Sequence, residues 1–177
     1  MNIESEFKNF LNGLDRTPSP GNSLVMKLPK KDYLPLIEKV LQRDANPNVF
    51  SNIIYLLINT KNEISDAIIN DLFEDIVSPS FPNEKLYILD SLCAYITAFN
   101  KKQYCGALKK ILTKYGTKKW LVDNTSAFLL NPLFAVKVLG CINCYTNVKK
   151  IVEYGTNING RVFWAAKEAL KELEQEK

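Results

Sequence analysis

Four cysteines are the side chains of this 177-residue chain best suited to metal or redox chemistry, and only Cys141 and Cys144 stand close enough to form a Cys-x-x-Cys pair. Such a pair holds zinc or cycles as a dithiol when matching ligands lie elsewhere. Here the chain has no histidine, and Cys93 and Cys105 are not a second close pair. All four cysteines fall in segments that read as helical, and Cys141 falls where a small apolar side chain is wanted. Reduced thiols carrying no metal are therefore expected. The missing histidine also removes the commonest general base, and no Gly-rich phosphate loop or nucleophile elbow appears. The residue types point away from catalysis and from any cofactor.

Charge narrows the partners. The formal net charge is +4 with a pI near 8.8, and nucleic acid or anionic lipid would call for a polybasic stripe or tail. The lysine pairs Lys30-Lys31, Lys101-Lys102, Lys109-Lys110, Lys118-Lys119 and Lys149-Lys150 are instead scattered, mostly near expected helix ends, where they keep the surface solvated and suit the dipole of a C-terminus. No apolar run approaches the roughly 20 residues that span a bilayer. The first residues, Met1-Asn2-Ile3-Glu4-Ser5-Glu6, lack the basic start and apolar core of a secretory leader, so a cytoplasmic location is expected. At 46% hydrophobic and 24% charged residues the composition is that of a globular protein, and the length is that of one ordinary domain, 1–177.

The elements come from a recurring five-point pattern. Val49, Ile53, Leu56, Leu57 and Thr60 are spaced as one stripe of a helix. The pattern returns at Glu84, Ile88, Ser91, Leu92 and Tyr95, at Phe134, Val138, Cys141, Ile142 and Tyr145, and at Val162, Ala166, Ala169, Leu170 and Leu173. Turn signals precede each copy: Asn46-Pro47, Phe81-Pro82, Asn131-Pro132 and Asn159-Gly160. Helical segments near Asp32, Ser65, Gln103 and Asn147 supply a first helix before each patterned one, and no segment alternates with period two. The expected fold is all-α: a stack of about four helix pairs over 31–177, with an insertion near 117–130 that stretches one interval. Residues 1–30 are expected to hold a capping helix on Phe7, Phe10, Leu11 and Leu14 and a Pro-rich connector. Stacked helical repeats bury their apolar faces against their neighbours.

The last copy, Asn159-Gly160-Arg161-Val162-Phe163-Trp164-Ala165-Ala166-Lys167-Glu168-Ala169-Leu170 and on to Leu173, resembles the second helix of a HEAT repeat. Val162, the paired alanines, Ala169-Leu170 and Leu173 match that pattern, while Phe163 replaces the usual arginine. The resemblance implies a right-handed α-solenoid whose second helices line a concave face. On that face the shared offsets select Asn52, Tyr55, Tyr87, Asp90, Lys137 and Arg161 as protein-binding residues. Tyrosine, asparagine and charges of both signs suit a protein surface better than a phosphate groove.

Size, lack of catalytic groups and a character rich in Asn, Lys and Ile are similar to those of bacterial immunity proteins, some of them HEAT-like, which neutralise a toxin domain by occluding it. A basic nuclease would, however, call for an acidic inhibitor. The alternatives are a generic scaffold or a HEAT-like DNA-binding protein. Some alkylpurine DNA glycosylases use aromatic residues and a carboxylate in a basic groove of such a solenoid, residue types that Trp120, Trp164 and Asp123 supply; Trp164 is otherwise expected to pack at the end of the stack.

Overall fold

The computed structural model describes residues 30–41, 47–122 and 124–176, and among these all regular structure is helical. The α-helices are α1 (Lys30–Leu41), α2 (Pro47–Thr60), α3 (Asp66–Val77), α4 (Tyr87–Ala98), α5 (Cys105–Tyr115), α6 (Lys118–Leu121), α7 (Leu130–Leu139), α8 (Tyr145–Glu153) and α9 (Gly160–Gln175). The expected N-terminal capping helix and Pro-rich connector, and Asp123, lie outside the described residues. The chain divides into two compact units, Met1–Leu72 and Phe73–Lys177, with the division inside α3.

In the first unit α1 buries Ile37 and Leu41, and α2 buries Phe50, Ile53, Ile54, Leu56 and Leu57. Helix α3 starts as expected after Ser65, whose hydroxyl accepts from the Ile68 amide (3.4 Å) and whose own amide donates to Glu38 of α1 (2.8 Å). These bonds satisfy amides that the first turn of a helix leaves without partners.

The second unit is built in two layers. Helices α4, α7 and α9 lie side by side, α7 between the other two, while α5 packs on α7 and α8, and α8 on α9. The C-terminus of α3 is tied to α5 by Tyr115, whose hydroxyl donates to the Ile76 carbonyl (2.9 Å), and by Lys114, whose ammonium donates to the carbonyls of Ile76 and Ser78 (3.1 and 2.6 Å). Tyr115 also meets Trp120 and Phe128 edge to face, with ring centroids 5.1 and 5.4 Å away. Trp120, from the short helix α6, is thus a member of an aromatic cluster, the arrangement that ring quadrupoles favour.

Three helices stop in the same way, at nearly even spacing. Lys61, Asn100 and Gly140 adopt left-handed backbone (φ 51°, 50° and 62°). The next amides, of Asn62, Lys101 and Cys141, donate back to the carbonyls of Leu57, Ile96 and Val136 at 3.0, 2.8 and 3.0 Å. This is the six-to-one bond of a Schellman cap, with a left-handed residue in the position that glycine fills most easily. The caps are 39 and 40 residues apart.

Two of the expected stripes are therefore misregistered. Shifted by 39 and 40 residues, the pattern of α2 falls on Ile88, Leu92, Tyr95, Ile96 and Phe99, and then on Phe128, Pro132, Ala135, Val136 and Leu139, each of them buried or half-buried. In the third stripe expected from sequence, Phe134, Val138 and Ile142 are 55%, 49% and 43% exposed. The error has a simple origin. The apolar run from Phe134 to Tyr145 passes through Gly140, and a lone glycine in a helical pattern reads as tolerated. Its left-handed φ instead ends α7, and Ile142–Cys144 form a separate 3-10 turn before α8. Helix α6 and the 3-10 segment Asn124–Leu129 make the connection between α5 and α7 longer than the connection 78–86 between α3 and α4.

Candidate protein-binding face

Because α4, α7 and α9 are neighbours in one layer, the side chains they turn outward form one face. Helix α9 starts on Asn159, whose side chain accepts from the amides of Arg161 and Val162 (3.0 and 3.4 Å). Its inward stripe is Val162, Ala166, Ala169 and Leu173, all buried, as the sequence pattern predicts. Its outward stripe follows at helical spacing: Arg161, Trp164, Glu168 and Lys171 are all exposed. Trp164 is 60% exposed, so it does not pack as an end plug. Its ring touches Phe163 (centroids 5.8 Å apart) and lies under the Lys167 ammonium at 4.7 Å.

Helix α7 contributes Phe134 and Val138 to the same face. Lys137, between them in sequence, pairs with Glu168 of α9 at 3.2 Å. The pair pins the outward stripe of α7 to that of α9. Phe134, Val138 and Trp164 each lie within one helical turn of the two paired residues. Helix α4 adds the small exposed residues Ala94 and Ala98, one repeat before Phe134 and Val138.

The six residues selected from sequence divide between the units. Asn52 and Tyr55 lie on α2 in the first unit, Asn52 half-buried and Tyr55 55% exposed. In the second unit Tyr87 opens α4 and is half-buried, Lys137 is engaged with Glu168, and Arg161 is exposed at the start of α9. Asp90 is half-buried and bonded by the Asn131 side chain of α7. Burial raises the Asp90 pKa above the usual carboxylate value, an effect that the Asn131 hydrogen bond partly offsets. One Asp90 oxygen, Oδ1, is buried with no hydrogen-bond partner among the described residues. Asp90 is thus a member of the α4–α7 contact more than of the outer surface. In the corrected register the row of Tyr55 continues to Ala94 and Phe134, whereas Asp90 belongs with Ser51 and Leu130. The aromatic residues Phe134 and Trp164 are the part of this face that sequence reasoning missed; the signal that finds them is the repeated cap at Lys61, Asn100 and Gly140.

The cysteines differ from expectation. Cys105 and Cys141 form a disulfide with Cα atoms 5.3 Å apart. Cys141 opens its repeat directly after the Gly140 cap, and Cys105 lies one helical turn past the equivalent position, Lys101, of the preceding repeat. Packing of α5 against the 3-10 turn Ile142–Cys144 closes the 36-residue separation, which is why no short spacing announces the pair. Cys93 and Cys144 are free and buried. Burial pushes the Cys144 thiol up to about 12, with Lys109 pulling slightly the other way, and pushes Cys93 well above its ordinary value with a further contribution from Asp90. Cys144 donates toward the Cys105 carbonyl at 3.6 Å. Two thiols held protonated in this way are poor nucleophiles and poor metal ligands.

No protein-family model, curated protein or solved structure matches this chain. Among the described residues no helix is long and apolar enough to cross a membrane.

Proposed function

We propose that this protein is a non-catalytic protein-binding module, a HEAT-like right-handed stack of helix pairs that docks a protein partner on the outward face of its second helices. The observation that carries the reading is the exposed group Phe134, Val138 and Trp164 around the Lys137–Glu168 pair. Large apolar side chains gathered on a solvent face mark an interaction site, and aromatic anchors beside arginine are what interfaces concentrate. Tyr87 and Arg161 flank this group on α4 and α9. The partner class that fits the chain's size and character is a bacterial toxin domain, neutralised by occlusion. Co-expression with the toxic domain encoded beside it should protect cells, and Trp164→Ala should protect less at equal protein level. Undiminished protection by Trp164→Ala would remove this face from the account.

A second reading has one observation in its favour. Trp164 is open to stacking, and Arg161, Lys167 and Lys171 lie on the same side of α9, as a nucleic-acid site would want. Release of modified bases from alkylated DNA by the purified protein would establish that reading against ours.

A further inference from the structure

The composition of this face also selects the chemistry of its occupant, an inference that rests on the protein-binding reading above. Its apolar part is small. Phe134 and Val138 are one turn apart on α7, and Trp164 is one turn from Glu168 on α9, so the Lys137–Glu168 pair sets these exposed apolar residues on neighbouring turns of the two helices. A patch of that extent, roughly 10 Å, accepts two or three anchors spaced i, i+3/i+4 and i+7 along one helix.

The charges nearest Trp164 are mainly positive, Glu172 and Glu176 lying two or more turns further along α9. On α9 the exposed cations Arg161, Lys167 and Lys171 border Trp164, and the one carboxylate of the stripe, Glu168, is already neutralised by Lys137. Lys167 lies over the rings of Trp164 and Phe163, at 4.7 and 5.7 Å, so a partner that covers the indole also meets this ammonium. Around Trp164, three cations with a paired carboxylate leave a positive border, while Glu172, Glu174 and Glu176 make the far end of α9 acidic. Occupancy by a basic segment would bring like charges together in a partly dehydrated contact, which is unfavourable; carboxylates there gain pairing and speed encounter.

We propose that the occupant is an acidic amphipathic helix of a protein partner, its apolar stripe on Phe134, Val138 and Trp164 and its carboxylates toward Arg161, Lys167 and Lys171. The partner is then an acidic protein, which fits the net charge of +4 and runs against a basic nuclease as its target.

The test uses the full chain and three 18-residue helical peptides: one with leucines along one stripe and glutamates beside them, one with lysines replacing the glutamates, and one with serines replacing the leucines. Binding is followed by calorimetry at moderate salt. The leucine–glutamate peptide should bind, and each of the other two should bind at least about tenfold more weakly. Trp164→Ala should weaken the first peptide by at least about tenfold, and Arg161→Glu with Lys171→Glu should favour the lysine peptide; all these positions are exposed, so the fold is kept. Equal binding of the leucine–glutamate and leucine–lysine peptides would overturn the charge assignment while leaving a protein-binding face in place. Equal binding of the serine peptide, or displacement by an oligonucleotide of the same charge, would overturn the amphipathic helix. No binding of any peptide to a chain that still captures its natural partner through Trp164 would also overturn it, without touching the broader function.

Discussion

Val136 and Val138 are two residues apart on α7 and chemically identical, but the register set by the Gly140 cap gives them opposite environments: Val136 is 0% and Val138 49% exposed. The pattern read from sequence alone assigns the core position to Val138 instead. Replacing each by alanine separates the two registers. Val136→Ala removes two fully buried methyl groups, each contributing about 1 kcal/mol, and leaves a small cavity under α7, for a loss of about 2–3 kcal/mol. Val138→Ala removes half-exposed surface and should cost less than about 0.7 kcal/mol. For a chain of this length each kcal/mol moves the melting temperature by about 2–4 °C, so Val136→Ala should melt roughly 5–10 °C lower and Val138→Ala within about 3 °C of the parent. Urea unfolding followed by far-ultraviolet circular dichroism gives both free energies from midpoints at constant slope. A Val138→Ala loss equal to or larger than that of Val136→Ala would refute the register, and with it the exposed face.

The same caps predict that Asn100→Gly and Lys61→Gly stabilise the chain by roughly 0.5–1 kcal/mol each, because glycine relieves the left-handed strain; Gly140→Ala should cost about 1 kcal/mol or more, its new Cβ also meeting the Glu176 carboxylate. Thermal melts of the three variants check both signs. Intact mass after alkylation in denaturant without reductant should count two free thiols, Cys93 and Cys144, and neither should label in the native state at pH 8, given a Cys144 thiol pushed up to about 12 and Cys93 well above its ordinary value. Closing the 36-residue separation between Cys105 and Cys141 should contribute about 3–4 kcal/mol in the chain-entropy account, measured as the drop in stability of Cys105→Ser with Cys141→Ser. Asp90, with its folded pKa raised by burial, binds its proton more tightly folded than unfolded. Stability is therefore fully retained below its unfolded pKa and declines as pH rises through its folded pKa. Asp90→Asn should raise the melting temperature at pH 7 and leave it unchanged near pH 3.

Helix existence was legible from the sequence because stripes such as Ile53, Leu56 and Leu57 have no other reading than a buried helical face, and capping residues such as Ser65 and Asn159 mark their starts. Register was not. Glu84 and Ser91 already fitted their copy poorly, but the alternative required seeing that Lys61, Asn100 and Gly140 all take left-handed backbone, and only glycine advertises that conformation. The candidate site inherited the slip. Arg161, on α9 where the sequence pattern and the buried stripe agree, is exposed, whereas Asp90, the equivalent of Tyr55 only in the sequence pattern, is packed toward α7. The disulfide was hidden for a related reason, since a separation of 36 residues becomes a contact only when the packing of α5 on the turn before α8 is known.

The central claim is that the face around Trp164 is where this protein meets its partner. Side-by-side affinity capture from the cells that make it, with the parent and with Phe134→Ala combined with Trp164→Ala at matched folding and amount, tests it most directly. A stoichiometric protein should be retained by the parent and lost from the double variant. Retention of the same protein at undiminished yield by both would contradict it.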